Sequence, residues 1–208
     1  MARSRYKAES ARLARLDELI AELDGIRLEA QSSKLSAKRK LFGERWASFI
    51  RLMRVLSSQS WGPKVEEYLR NVHGWEKVDP KLARGDAREL VPGGRHFEMK
   101  TTIITPTNTS ANFVQIRPHH DIDGYQLFVV QGDYSVVHYY LTKEQMKKEL
   151  DLLGTLAHGT TREGGADMVN AEWAIRFEWD KAGDVRKRWK TYEVGKRRPD
   201  SVCCKQAH

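Results

Sequence analysis

The hydrophobic periodicity of the chain changes at Trp75, and that change limits the folds open to it. Before Trp75 the spacing is helical. Leu13, Leu16, Ile20 and Leu23 recur at 3-4-3 intervals, the seam of a helix over residues 5–31. Ser32 and Ser33 interrupt it, and Phe42, Trp46, Phe49, Ile50 and Met53 then line one stripe of a second amphipathic helix. Gly62-Pro63 is placed to open a third helix, which runs through Val65, Leu69 and Val72 and stops at Gly74. After Trp75, β-branched and aromatic runs take over: HFEMKTTIIT, ANFVQIRP, GYQLFVVQ and SVVHYYL, separated by Pro, Gly, Asn and Asp clusters. A helix follows in TKEQMKKELDLLG, with Thr142 and Gln145 spaced for a capping box. The polar loop HGTTREGGAD then leads to a last strand, EWAIRFEWD, in which Trp173, Ile175 and Phe177 alternate. This order predicts an α/β or α+β fold, a mixed central sheet flanked by helices. Residues 1–58 form an N-terminal helical region and residues 59–208 the sheet-bearing core.

Charge narrows the function. Lys and Arg number 36 against 28 Asp and Glu, a net +8. Lys34–Arg54 and Lys181–Arg198 carry +6 each, so the remainder carries −4. Two basic blocks around a mildly acidic middle suit a protein that binds a polyanion and holds an acidic site between. The 208 residues contain no apolar run of 18, which excludes a membrane-spanning helix, and the N-terminus lacks the apolar core of a signal peptide. The two cysteines, adjacent at Cys203 and Cys204, cannot staple a fold, and a cytoplasmic location fits them best.

The chemistry concentrates between Asp86 and Lys100. On the strand HFEMKTTI, Phe97 and Met99 face one side while Glu98, Lys100 and Thr102 face the other. A carboxylate and an ammonium two residues apart are unusual on a hydrophobic strand. With Asp86 beside them, they offer two hard oxygen ligands for Mg²⁺ and an adjacent lysine. Phosphodiester hydrolysis needs that set: a cation to neutralise charge developing on the phosphate, and a lysine to orient water or stabilise the pentacovalent phosphate. For Asp86 to share a cation with Glu98, opposed residues of the hairpin around Pro92-Gly93-Gly94 must have an even sum. A five-residue loop, Val91–Arg95, meets that condition by setting Arg88 opposite Glu98 and Asp86 opposite Lys100.

Asp86, eleven intervening residues, then Glu98-Met99-Lys100 resembles the motif of the PD-(D/E)XK nuclease superfamily, the restriction-endonuclease-like fold. The resemblance covers roughly Trp61 to Leu153. It implies that Asp86 and Glu98 bind the divalent metal, with Met99 a further metal contact, and that Lys100 serves the attacking water. It also implies a further acid on the preceding helix four residues after a glycine. Glu66 stands so after Gly62, with Glu67 as its neighbour, and Gln115 is the polar residue of the strand after the motif. One departure is Gly85, where the family pattern has proline. The implied activity is that of a type II restriction enzyme: Mg²⁺-dependent cleavage of double-stranded DNA, with Mn²⁺ as a substitute, by a homodimer. A repair or recombination nuclease of the same fold is the near alternative. A non-catalytic nucleic-acid-binding protein is the rival of a different class.

DNA contacts are expected outside that motif. His119 and His120 lie in the turn-like PHHDIDG segment, which reads better as a loop offering phosphate or base contacts than as a metal site. Arg117 pairs with an acid more often than it reads a base. Arg162 in the long polar loop is a candidate groove reader. Arg186, Lys187 and Arg188 are candidate phosphate contacts. Trp179 and Trp189 are expected in the core rather than as stacking platforms.

Overall fold

Two compact units divide the residues that the computed structural model describes, which are 2–30, 35–105, 107–156, 171–179 and 183–197. The first contains α1 (Ala2–Ala30), α2 (Leu35–Met53) and α3 (Ser58–His73), together with the Asp133–Ser135 turn. It ends at Gly74, so α3 belongs with the helical region, whose expected limit was residue 58. α1 packs on both α2 and α3. Leu16, Leu19 and Leu23 are buried, as are Phe42, Trp46, Phe49, Ile50 and Met53 of α2 and Val65, Tyr68 and Leu69 of α3. The apolar stripe expected on α2 is therefore its buried face. On α1 the seam is rotated: Leu19 is buried while Leu13 and Ile20 are half-buried. Trp46 stacks on Phe49 at 5.3 Å, and its Nε1–H donates to the Tyr134 carbonyl at 2.7 Å.

α3 starts a turn before Gly62-Pro63. Ser57 caps it, its side chain accepting the Ser60 N–H at 3.3 Å. Pro63 thus lies inside the helix, where its missing N–H removes one ladder bond without ending the helix. The stop is at Gly74, whose φ of +67° lets its N–H reach the Arg70 and Asn71 carbonyls.

The second unit spans 75–132 and 136–196. Its strands are β1 (Trp75–Lys77), β2 (Ala87–Glu89), β3 (His96–Ile103), β4 (Ser110–Ile116), β5 (Gly124–Val130), β6 (Val136–Thr142), β7 (Gly154–Leu156), β8 (Trp173–Glu178) and β9 (Glu193–Arg197), and its helices α4 (Lys143–Leu153) and α5 (Gly183–Trp189). A six-stranded sheet has the order β1-β2-β3-β5-β6-β9, and a three-stranded sheet the order β4-β8-β7. β3 and β5 run parallel, whereas β1–β2, β2–β3 and β5–β6 are antiparallel. The larger sheet is therefore mixed, and the architecture is α+β as expected. α4 carries the anticipated capping box, with Gln145 N–H to Thr142 Oγ1 at 3.2 Å and Thr142 N–H to Gln145 Oε1 at 2.8 Å.

β5 is buried along its whole length, as a central strand covered on both faces must be. On one face Tyr125, Leu127 and Val129 join Val137, Tyr139 and Leu141 of β6. Phe113 and Ile116 of β4, Ile175 and Phe177 of β8, Met146 and Leu150 of α4, and Trp189 cover them. Trp179 also lies in this core, so both tryptophans are buried. Among the described residues no helix is long and apolar enough to cross a membrane.

Candidate active site

The β2–β3 hairpin builds the site. Ala87 pairs with Phe97 and Arg88 with His96. The Glu89 N–H donates to the Arg95 carbonyl at 3.1 Å, and the Arg95 guanidinium grips the Glu89 carboxylate at 2.6 Å. The loop is therefore Leu90–Gly94. It has five residues and opposed positions of even sum, as the shared face requires. The register differs by two from the expected one: Arg88 faces His96 rather than Glu98, and its continuation sets Asp86 level with Glu98 rather than Lys100. Gly94 accounts for the shift, since its N–H closes on the Val91 carbonyl at 2.8 Å and a Cβ there would lie 2.3 Å from the Glu89 carbonyl oxygen. Only glycine fits so tight a closure.

Gly85 brings Asp86 to the sheet edge. Its φ is +76°, and a Cβ at this position would meet the Phe97 carbonyl oxygen at 2.3 Å. A proline, fixed near −65°, cannot adopt that conformation, so this backbone requires the glycine. The Asp86 N–H then donates to the Phe97 carbonyl at 2.7 Å, and its carboxylate accepts the Met99 N–H at 3.0 Å.

Both carboxylates meet one ammonium. Lys100 Nζ lies 3.0 Å from Glu98 Oε1 and 3.6 Å from Asp86 Oδ2. Glu98 is wholly buried, and burial pushes its pKa above the usual carboxylate value, Lys100 opposing that rise and Asp86 adding to it. β4 crosses this face of β3, with Asn112 N–H donating to Thr102 Oγ1 at 3.2 Å and Arg117 N–H to Glu98 Oε2 at 3.3 Å. Between Phe113 and Ile116 the strand bulges against β8, and Gln115 there has a φ of +55°. Such a bulge re-aims the strand end that carries Arg117.

The donor set suits a hard divalent cation. Glu98 Oε1 is buried, and the partner it faces is the Lys100 ammonium at 3.0 Å. The Phe97 carbonyl and the Met99 N–H both point to the Asp86 edge, so in a pleated strand the Met99 carbonyl points there too. Met99's contribution would thus come from its backbone, since its side chain is buried in the core. Among the described residues no three His, Cys, Asp or Glu side chains converge. Two carboxylates with waters and phosphate oxygens are what Mg²⁺ usually takes.

The other expected residues are distributed as follows. Glu66 is half-buried on α3 in the first unit, and Glu67 is exposed beside it. Gln115 is exposed at the bulge, and it is the Arg117 backbone that reaches Glu98 from this strand. The Arg117 guanidinium is held by Glu172 at 2.7 Å, so it pairs with an acid rather than standing ready for a base. His119 and His120 lie in a loop, as anticipated, with rings edge to face at 4.8 Å. The loop is fastened by Asp121 N–H to the Ala83 carbonyl, by an Arg84–Asp121 ion pair at 3.2 Å, and by Lys143 Nζ to the His120 carbonyl at 2.7 Å. Burial, reinforced by nearby positive charge, pushes both imidazole pKa values down. Arg162 lies outside the described residues.

Of the basic trio on α5, Arg186 and Lys187 are exposed, the former with its guanidinium 4.7 Å from the Trp179 ring centre. Arg188 corrects the expectation of a phosphate contact. It forks onto buried Glu149 at 2.7 and 2.8 Å, and Trp189 Nε1–H donates to the same carboxylate at 2.7 Å. A guanidinium bound on two edges to a buried acid is a structural group. The Arg117 N–H was missed because a backbone donor leaves no mark in the side-chain pattern. Glu149 was missed because it reads as one more polar residue of an amphipathic helix.

No family model matches the chain, and no curated protein matches it. The site stands on its own geometry.

Proposed function

We propose that this chain is a Mg²⁺-dependent endonuclease of the PD-(D/E)XK type, cutting double-stranded DNA as a cytoplasmic homodimer in the manner of a type II restriction enzyme. One observation carries the reading: the Lys100 ammonium stands between the Asp86 and Glu98 carboxylates on one face of the β2–β3 hairpin. A buried charged set of this kind is a poor source of stability, because desolvation offsets most of the attraction. Perturbed, partly buried ionisable groups gather at functional sites.

Asp86 and Glu98, with the Met99 carbonyl, would hold Mg²⁺ or Mn²⁺. When bound, the cation would neutralise charge on the scissile phosphate and make the attacking water more acidic. Lys100 would donate to that water or to the phosphate oxygens, where negative charge grows in the transition state. The Met99 N–H and the Arg117 N–H hold the two carboxylates in place. The exposed Arg186 and Lys187, and the basic residues of α2, would supply the phosphate contacts. Incubating the protein with plasmid and linear duplex DNA tests this reading. Cleavage with Mg²⁺ or Mn²⁺ that stops in EDTA supports it, and binding without cleavage under every metal condition favours the non-catalytic rival.

A further inference from the structure

Glu98 has a neighbour that the nuclease motif does not use. In the parallel β3–β5 ladder Glu98 is in register with Tyr125, so both side chains leave the same sheet face about 4.8 Å apart at the backbone. Both residues are wholly buried. Among the described residues the Tyr125 hydroxyl is buried without a hydrogen bond, and Glu98 Oε1 faces the Lys100 ammonium at 3.0 Å. A buried hydroxyl without a hydrogen bond beside a buried carboxylate is a costly arrangement, and such a group calls for a functional explanation. Burial, with the Glu98 charge adding to it, pushes the hydroxyl's pKa well up, so Tyr125 remains a proton donor.

We propose that Tyr125 is a positioning residue of this site, its hydroxyl donating toward Glu98 through one bridging water to hold the carboxylate for a divalent cation. The inference rests on the metal-site reading above and adds to it a residue outside the Asp86–Lys100 motif. Second-layer groups of this kind typically change metal affinity 10- to 100-fold, on the order of magnitude seen when they are removed.

The test is Mn²⁺ titration of the full-length, DNA-free protein, following free Mn²⁺ by electron paramagnetic resonance, for wild type and Tyr125→Phe. Thermal midpoints are recorded in EDTA. Binding about tenfold or more weaker in Tyr125→Phe is expected, with a midpoint in EDTA close to wild type because among the described residues no protein group accepts a hydrogen bond from the hydroxyl. In a Glu98→Gln background the same substitution should change little, since the group it serves is gone. Equal Mn²⁺ affinity in wild type and Tyr125→Phe overturns the role of Tyr125 and leaves the carboxylate site standing. Weaker binding with a lowered midpoint assigns the hydroxyl to packing and overturns it too. Failure of wild type to bind Mn²⁺ overturns the metal site itself, and the inference with it.

Discussion

Lys100 Nζ stands 3.0 Å from Glu98 Oε1, with the lysine side chain 12% exposed and the glutamate 1%. The lysine side chain keeps a small contact with solvent, and the glutamate keeps essentially none.

That burial sets a pH dependence. The folded pKa of Glu98 is raised above its usual 4.5, so the folded state binds the proton more tightly than the unfolded one. Its contribution to stability is complete below 4.5 and is lost as pH rises through the folded value. In EDTA, wild type should lose stability over that window relative to Glu98→Gln. Urea unfolding of both proteins across the pH range measures the difference. Parallel curves would mean that Glu98 does not titrate as a buried acid.

Removing either carboxylate should abolish cleavage. Asp86→Ala and Glu98→Ala each delete a hard ligand, and a loss exceeding about 100-fold is expected, beyond the range for second-layer groups. Metal-free DNA binding should persist or tighten as carboxylate–phosphate repulsion is relieved. Gel shift and cleavage assays on the same preparations read both, and full Mg²⁺-supported activity in either variant would remove the site assignment.

Gly85→Ala isolates the backbone. A Cβ forced within 2.3 Å of the Phe97 carbonyl, at a φ of +76°, should destabilise the fold by about 1–3 kcal/mol. Cleavage should fall further than stability accounts for, because the displaced residue is the one before Asp86. Activity retained in the folded fraction would show that Asp86 tolerates displacement.

Lys187 and Arg188 should behave differently although they are adjacent. Arg188→Ala leaves the buried Glu149 carboxylate with only the neutral donors Trp189 and Tyr192 among the described residues and should lower stability by roughly 2–3 kcal/mol. Lys187→Ala should leave stability unchanged and reduce the slope of log affinity against log salt by about one. Denaturation and salt-titrated binding separate the two. An unchanged slope for Lys187→Ala assigns α5 to a solvated surface.

Long periodic elements were readable in the sequence, and short irregular ones were not. The α2 stripe, the alternating β8 run and the Thr142–Gln145 cap each follow from local spacing alone. α5 and β9 were obscured because their residues form a uniformly basic tail with little apolar periodicity. The face shared by Asp86 and Glu98 follows from parity, which the even-sum loop preserves. The exact register depends on how tightly Gly94 closes, a tertiary contact that spacing does not encode. Arg188 looked like its basic neighbours because its partner, Glu149, is 39 residues away.

Single-turnover cleavage of duplex DNA by wild type and Lys100→Ala, with Mg²⁺ and with binding measured in parallel, tests the central claim most directly. The expected result is cleavage by wild type, a loss of more than about 100-fold in the variant, on the scale of removing a transition-state donor, and duplex affinity close to wild type. Lys100→Ala cleaving at the wild-type rate would contradict the assignment of Lys100 to the chemistry.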